Sequence, residues 1–410
     1  MFFITHVNLE FSHLLIKFER KEYDIIFWNL INIHGKDLIY IEDKKMSELL
    51  FLGDFLYDYD YIAKDIDEIS SWIQKHNYAV VLNLEAPISK KGSKIKKRGP
   101  NLFLSSVSIE ILKKLNVIGV CIANNHIADY GKKSLIETIE ILRENNILYN
   151  GAGINILKAL KPMVLEVDGQ KIIIQSFAWN VEEAKNASLY SYGTSPRKKR
   201  IIKRMTKQIK YEHTNAFLVN IYHWGFEFNL YPMPFDIELA HQSINWGCDL
   251  IIGHHPHVIQ PHEKFKGKNI YYSIGNFYFS SKRDKFRSKI FKRRYPNRAD
   301  YGMGVILNVL NKETRNIFIK YDSSIDKTVI IDDQSIADLL EDITDYDYKS
   351  KDYIKKVKEN SININPILTE NFLCNLLKLF KLKMHYVFIR LAKYLYLIVK
   401  TILNKKMKRQ

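Results

Sequence analysis

The chain has 410 residues and a formal net charge of +17, because 62 lysine and arginine residues outnumber 45 aspartate and glutamate residues. Hydrophobic residues make up 46% of the chain and charged residues 26%, which is a globular composition and excludes disordered and collagen-like classes. Cys121, Cys248 and Cys374 form no C-x-x-C pair, which excludes a disulfide framework. The excess of positive charge favours anionic partners: nucleic acid, anionic lipid or a polyanionic polymer.

Composition divides the chain into three segments. Residues 1–46 form an aromatic-rich N-terminal extension to which no role is assigned, 47–325 a domain of alternating elements, and 326–410 a C-terminal extension. The N-terminal residues lack the basic start and the clean apolar stretch of a secretory signal. Because no run of about 20 uncharged apolar residues occurs, we expect no membrane-spanning helix and a cytoplasmic location.

Apolar strands and amphipathic helices alternate through the central domain. Period and composition predict strands at 49–53, 78–83, 117–123, 216–222, 249–252, 269–274 and 304–309. Helices are predicted at 61–75, 106–115, 133–143 and 235–246. Residues 163–167 and 171–177 read as a hairpin across Asp168-Gly169. The alternation predicts an α/β fold, and the hairpin makes the sheet mixed rather than purely parallel.

Potential metal ligands follow five of these strands. The groups are two carboxylates, one carboxamide and five imidazoles: Asp54, Glu85, Asn125, His126, His223, His254, His255 and His257. A single histidine at a strand end is usually a hydrogen-bonded structural residue, but five strand ends that each carry such groups indicate a site. The carboxyl ends of strands in α/β sheets are where sites gather. Imidazole and carboxylate together suit one or two ions of manganese, iron or zinc.

The strings around these residues resemble a known family. They are Phe-Leu-Gly-Asp (51–54), Asn-Leu-Glu-Ala-Pro-Ile (83–88), Ala-Asn-Asn-His-Ile-Ala-Asp-Tyr-Gly (123–131), Gly-Ala-Gly-Ile-Asn (151–155), His-Trp-Gly-Phe-Glu (223–227), Gly-Cys-Asp-Leu-Ile-Ile-Gly-His-His-Pro-His-Val-Ile-Gln (247–260) and Tyr-Ser-Ile-Gly-Asn-Phe (272–277). Their order and spacing resemble the capsule-synthesis CapA family, the poly-γ-glutamate capsule proteins of the calcineurin-like metallophosphoesterase superfamily. The most specific strings are Asn-Asn-His and Gly-His-His-Pro-His.

The resemblance implies a four-layer α/β/β/α metallophosphoesterase-like sandwich with a metal centre at one edge. It also implies roles for the strand-end residues. The positions of metal ligands are occupied by Asp54, Glu85, Asn125, His223, His255 and His257. His126 matches the histidine that assists the leaving group, and Asp129 stands beside it as a second catalytic candidate. Glu227 and His254 are expected next to the ligands, where they would orient them.

Two positions depart from the superfamily pattern. The first strand of metallophosphoesterases carries Asp-x-His, but Leu56 stands at the place of that histidine. Glu85 stands where a shorter bridging aspartate is usual. The loss of one imidazole leaves open whether the centre holds one ion, or two with the first bound weakly.

The resemblance and the charge together give a functional hypothesis with two alternatives. The hypothesis is a metal-dependent hydrolase or transferase that works with other capsule-synthesis proteins on polyglutamate or an acidic polysaccharide. Basic clusters at 90–98 and 282–298, close to the predicted ligands, favour an anionic polymer. The alternatives are a non-catalytic, membrane-associated assembly factor of the same fold and a phosphodiesterase acting on nucleic acid. The latter is less favoured because no nucleic-acid recognition motif occurs.

The segment 371–410 has a distinct composition. It carries ten lysine and arginine residues, no acidic residue, and apolar residues at helical spacing. This pattern predicts a basic amphipathic helix that lies in the interface of an anionic membrane, on its inner face. The alternative is a helix packed on the core of the protein.

Overall fold

The computed structural model describes residues 47–62, 64–97, 99–167, 169–180, 184–279, 298–322, 327–331, 343 and 346–360. The described residues all fall in one compact unit. The extension 1–46, the basic stretch 282–297 and the segment 371–410 lie outside the described residues, so the roles assigned to the last two stay predictions.

Sixteen strands occur among the described residues. In chain order they are β1 (Glu48–Leu56), β2 (Ala79–Leu84), β3 (Val117–Cys121), β4 (Leu148–Asn150), β5 (Ala152–Gly153), β6 (Met163–Val167), β7 (Gln170–Ala178), β8 (Gly193–Thr194), β9 (Phe217–His223), β10 (Leu250–His254), β11 (His262–Phe265), β12 (Lys268–Tyr271), β13 (Asn276–Phe279), β14 (Tyr301–Asn308), β15 (Thr314–Asp322) and β16 (Lys327–Ile331).

Seven α-helices accompany these strands in the described part of the chain. They are α1 (Asp67–Lys75), α2 (Ser108–Lys114), α3 (Gly131–Glu144), α4 (Ile156–Ala159), α5 (Lys199–Glu212), α6 (Pro234–Trp246) and α7 (Lys351–Glu359). The predicted helix at 61–75 begins later than expected, because a 3-10 turn occupies Lys64–Ile66. Asp67 and Glu68 then open α1, where acidic groups favour a helix N-terminus.

The strands form two large mixed sheets and a small two-stranded one. The eight-stranded sheet has the order β16-β15-β14-β1-β2-β3-β4, with β13 paired to β1. The six-stranded sheet has the order β11-β12-β10-β9-β7-β6. The predicted hairpin is confirmed as the antiparallel pair β6 and β7. The eight-stranded sheet continues through β16, beyond residue 325, since β16 pairs with β15.

The two large sheets pack face to face with helices outside. Phe51 and Val81 of the eight-stranded sheet share one buried cluster with Val219 and Ile252 of the six-stranded sheet. Outside the first sheet, α1, α2 and α3 contribute to a second buried cluster through Ile73, Leu112 and Leu142. Outside the second sheet, Ile209 of α5 packs on Ile173 and Leu218, and Ser243 of α6 hydrogen-bonds the hydroxyl of Tyr222 at 2.7 Å. The predicted α/β/β/α sandwich is therefore confirmed.

Candidate metal centre

The candidate ligands lie where strands of both sheets end. Asp54 near the end of β1 lies opposite Asn83 of the parallel neighbour β2. His223 at the end of β9 lies opposite His254 at the end of the parallel strand β10. Because the sheets face each other, these carboxyl ends meet at one edge of the sandwich, as the sequence predicts.

An irregularity in β1 places Asp54 in the site. The pairing of β1 with β2 shifts register between Leu52 and Asp54. At this point β1 leaves its antiparallel partner β14 and takes up the parallel partner β13. The backbone N–H of Asp54 donates to the carbonyl oxygen of Gly275 at 3.1 Å. The local register shift changes the direction of the Asp54 side chain, as β-bulges next to functional sites often do.

Two buried carboxylates lie side by side on one amide. Nδ2 of Asn83 donates to Oδ1 of Asp54 at 2.7 Å and to Oε2 of Glu85 at 2.6 Å. Burial opposes the charge of Asp54, but His254 and His257 outweigh it and hold the pKa of Asp54 well below its usual range. Burial and the charge of Asp54 raise the pKa of Glu85 well above its usual range. Like charges so close together separate the two pKa values in this way.

The free oxygen of Glu85 faces two imidazoles. Oε1 of Glu85 lies 3.8 Å from Nε2 of His223 and 3.9 Å from Nε2 of His257. Nε2 of His223 also lies 3.0 Å from Oδ1 of Asn125. Ligand atoms of Asp54, Glu85 and His223 lie within 4.8 Å of one another and could hold a metal ion.

The remaining histidines complete the cluster. The ring of His255 lies with its centroid 4.7 Å from that of His223 and 5.9 Å from that of His257. The backbone N–H of His255 donates to Oδ2 of Asp54 at 3.2 Å. His255 and His257 have φ angles of 95° and 56°. Non-glycine residues in this left-handed region carry strain that is typical of functional sites.

The environments of the imidazoles shift their pKa values in opposite directions. Burial lowers the pKa of His255 to about 4, and burial together with the neighbouring His255 holds the pKa of His223 well below its usual range. Burial also disfavours the charged form of His257, but a hydrogen bond to Asp54 and the charges of Asp54 and Glu85 outweigh it and raise its pKa to about 9. His223 and His255 therefore present neutral rings at neutral pH.

The donor set fits a divalent cation. Oε1 of Glu85, Nδ1 of His223 and both ring nitrogens of His255 are buried and have no hydrogen-bond partner among the described residues. Buried polar atoms are nearly always paired, so several unpaired ones in neighbouring side chains require an explanation. Carboxylate oxygen and imidazole nitrogen are ligands for manganese, iron and zinc.

Two further predicted residues lie next to the ligands. Nδ1 of His254 lies 3.1 Å from Oδ1 of Asp54, so its ring contacts a candidate ligand. Glu227 is half-buried, and its negative charge acts on His255 and His257, where it favours the protonated rings. That these two residues orient the ligands stays a prediction.

The catalytic candidates His126 and Asp129 are in contact, and a lysine joins them. Nδ1 of His126 lies 2.7 Å from Oδ2 of Asp129, and Oδ2 of Asp129 also accepts the backbone N–H of Leu102 at 2.7 Å. Lys97, whose side chain is only 3% exposed, forms an ion pair with Asp129. Nζ of Lys97 also lies 2.8 Å from Nδ1 of His126. Nδ1 of His126 is thus held between the carboxylate of Asp129 and the ammonium group of Lys97.

Four supporting residues were not predicted as site residues. Asn83 holds the two carboxylates; Asn124 accepts the backbone N–H groups of His126 and Ile127. Oδ1 of Asn276 lies 2.9 Å from Nδ1 of His257. All three asparagines stand inside the strings that carry the family resemblance. Lys97 is hidden in the sequence because it belongs to a run of lysines that indicates a solvated loop.

Apolar packing takes the place of the missing imidazole. Leu56 is only 1% exposed and belongs to the buried cluster on the helix-covered face of the eight-stranded sheet. It pairs with Phe279 of β13. The described residues therefore offer no imidazole at this position, as the sequence indicates.

The sandwich and the ligand groups gathered at its edge define a metallophosphoesterase-like protein. Residues 25–281 match the family described as bacterial capsule synthesis protein PGA_cap. The chain belongs to this family, which confirms the family inferred from the sequence strings.

Similar curated proteins carry capsule-related names. The chain is 31% identical to the capsule biosynthesis protein CapA of Bacillus anthracis over 229 residues, and this aligned region covers 54% of each chain. It is 28% identical over 250 residues to the PGA biosynthesis protein CapA of Bacillus subtilis, covering 60% of this chain and 65% of the relative. A probable polyglutamine synthesis accessory protein of Mycobacterium tuberculosis is 26% identical over 48% of this chain and 54% of its own. The chain thus matches between about half and two-thirds of the length of these relatives.

Among solved structures, an NAD nucleotidase of Haemophilus influenzae is similar with a TM-score of 0.41 and 12% identity, over 76% of this chain and 67% of that one. A 5'-nucleotidase precursor of Thermus thermophilus has a TM-score of 0.40 and 9% identity, over 69% of this chain and 54% of that one.

Proposed function

We propose that the protein is a metal-dependent hydrolase or transferase that acts on an anionic polymer during capsule or exopolymer production. The names of its relatives support the capsule setting, in which it works with other capsule-synthesis proteins. The proposal places the protein on the cytoplasmic side, at the inner face of the membrane. Among the described residues, no helix is both long and apolar enough to cross a membrane.

The observation that carries the proposal is the group of buried potential ligand atoms in neighbouring side chains that have no hydrogen-bond partner among the described residues. These atoms belong to Glu85, His223 and His255. Together with Asp54, Asn125 and His257 they would hold one or two ions of manganese, iron or zinc. Such an ion supplies Lewis acidity that polarises a carbonyl or phosphoryl oxygen. The protein excludes water around these atoms, since all six side chains are buried.

The chain itself provides a proton donor at this edge. His126 is fixed through Nδ1 by Asp129 and Lys97, and we propose that its ring donates a proton to a leaving group. The charge of His126 acts on His255, so the two rings are neighbours. Asp129 serves as the residue that orients His126.

A basic loop next to His126 supports an anionic substrate. Lys90, Lys94 and Lys96 are exposed on the loop between β2 and α2. Lys97 of the same loop anchors it to His126 and Asp129. Exposed like charges beside a site raise the local concentration of a polyanion. Polyglutamate and acidic polysaccharide both have this charge, and the loop does not distinguish them.

One observation favours a second candidate, a non-catalytic assembly factor of the same fold. Leu56 replaces an imidazole with a buried apolar side chain. A protein that binds metal and polymer without turnover tolerates the loss of this imidazole, because it does not need the geometry that catalysis requires.

Elemental analysis and turnover assays test the proposal and separate the candidates. The purified protein should hold about one to two equivalents of Mn, Fe or Zn, and His255→Ala combined with His257→Ala should empty the site. Shortening of poly-γ-glutamate or of an acidic polysaccharide, or transfer of its chains, should require the metal. His126→Ala should lower that turnover by about 100-fold and keep the metal. His241→Ala is a control that should leave metal content and turnover unchanged, because His241 of α6 contacts Glu263 and Phe265, neither of which is a candidate ligand.

Three outcomes have different meanings. A wild-type protein without metal, which also binds none on titration, contradicts the metal centre. Metal with no turnover on either polymer supports the assembly factor. Loss of metal in His126→Ala would show that His126 is a ligand rather than a proton donor.

A further inference from the structure

We infer that Asn83 is a positioning residue that holds one oxygen of each carboxylate and so leaves Oε1 of Glu85 as a single oxygen shared between two imidazoles. The inference rests on the proposed metal centre and deepens it. Asn83 is 1% exposed and belongs to β2, two residues before Glu85. It is not itself among the candidate ligands.

The hydrogen bonds of Asn83 are fully used. A side-chain amide has two N–H donors and one carbonyl acceptor. The two donors go to Oδ1 of Asp54 at 2.7 Å and Oε2 of Glu85 at 2.6 Å. The carbonyl accepts from Nδ2 of Asn124 at 3.2 Å. With every group satisfied, the amide has one orientation, and its oxygen and nitrogen cannot exchange places without losing these bonds.

Asn124 connects this amide to a third strand end. Its Nδ2 also donates to the carbonyl oxygen of Leu84 at 2.7 Å, and its Oδ1 accepts the backbone N–H of Ile127 at 2.8 Å. The segments after β1, β2 and β3 are thus joined through two amides. This network fixes the carboxylates relative to the Asn125-His126 segment.

The side chain of Glu85 needs this positioning because it is longer than that of an aspartate. A glutamate has one more rotatable bond than the aspartate usual at this place, and so more freedom to lose on binding. Asn83 removes this freedom by holding Oε2. Oε1 then stands 3.8 Å from Nε2 of His223 and 3.9 Å from Nε2 of His257. Oε1 is thus at nearly the same distance from both rings, so Glu85 could share an ion with either imidazole.

Calorimetric titration with Mn²⁺ tests the inference. Wild type is compared with Asn83→Leu, which keeps the approximate shape and removes the amide. The matched control is Asn150→Leu, because Asn150 is also a buried asparagine at a strand end, bonded to Ile174 and Ser176. We expect Asn83→Leu to raise the dissociation constant for Mn²⁺ by about 10- to 100-fold, as for other residues that orient ligands. Asn150→Leu should bind as wild type does.

A double-mutant cycle separates positioning from general damage. If Asn83 acts through Glu85, the loss in Asn83→Leu combined with Glu85→Gln should be clearly smaller than the product of the single losses. If circular dichroism shows that Asn83→Leu does not fold, Asn83→Ser takes its place. One hydroxyl donor cannot hold both carboxylates, so we expect the same loss of Mn²⁺ affinity in that variant. Unchanged Mn²⁺ affinity in the folded variant, or fully independent losses, overturns the inference. A wild type that binds none of Mn²⁺, Fe²⁺ and Zn²⁺ overturns the metal centre itself, and the inference with it.

Discussion

In the candidate centre, the pKa of a residue depends on its neighbours more than on its residue type. His255 and His257 are two positions apart, yet the pKa of the first falls to about 4 and that of the second rises to about 9. The difference arises because Asp54 contacts the ring of His257 and not that of His255. The metal-free site therefore holds a proton on His257 at neutral pH, and burial and the charge of Asp54 raise the pKa of Glu85 beside it.

Metal binding should consequently release protons. A ligand imidazole must be neutral, and the pKa of His257 is about 9 without metal. As pH falls from 9 to 7 the ring becomes protonated, so the apparent metal affinity should fall by up to about 100-fold, and above pH 9 this contribution should vanish. Calorimetry at pH 7 in buffers of different ionisation enthalpy should show at least one proton released per site. A binding enthalpy that is independent of the buffer would contradict this.

The elements that matter most to the centre are the last residues of β1 and the strand β13 beside them. A Cβ atom at Gly53 would lie 2.1 Å from the carbonyl oxygen of Gly275, the same oxygen that accepts the N–H of Asp54. Close approach of two backbones requires a glycine at this point. The register shift that places Asp54 in the centre thus depends on Gly53, which has no side chain.

Gly53→Ala should disturb the centre through this contact. The backbones would have to separate, at a cost of about 1–3 kcal/mol in the free energy of unfolding, and Asp54 would move with them, so metal affinity should fall as well. Chemical denaturation and Mn²⁺ titration measure the two effects. Gly99→Ala is the control, because a Cβ atom there meets nothing within 4 Å. Equal behaviour of the two variants would show that β1 and β13 can part without harm.

At the scale of the whole molecule, the sandwich brings strand ends from two sheets to one edge, and the chain carries a large excess of positive charge. The segment 371–410 holds ten of the basic residues, and without it the net charge falls from +17 to +7. This segment lies outside the described residues, so the sequence alone supports its proposed role as an interfacial anchor.

Flotation with anionic vesicles tests this role. The full chain should float with vesicles that contain anionic lipid, because each cation near such a surface contributes about 1 kcal/mol. High salt should weaken binding, since it screens exposed charges. The chain cut after residue 370 should stay in solution, folded and unbound. If the truncated chain aggregates and the full chain ignores the vesicles at low salt, the segment is a packed helix instead.

Much of the site could be predicted from sequence because its signals are local. Apolar runs that end in aspartate, glutamate, asparagine or histidine predicted both the strands and the groups at their ends, and the structure places those groups together. Asn83 and Lys97 escaped prediction for a physical reason. An asparagine inside a strand, or a lysine in a basic run, shows no sign of its role in the sequence until the partners that satisfy it are known.

The sequence by itself determined the alternation of strands and helices, the family, and the identity of the candidate ligands, because periodicity and short strings record local order. Only the tertiary structure decided which atoms face each other. His255 donates to Asp54 across 201 positions of sequence, and β13 pairs with β1 although β2 to β12 lie between them. Contacts over such separations depend on how the two sheets pack, and no local pattern encodes that Oε2 of Glu85 is held while Oε1 stays free.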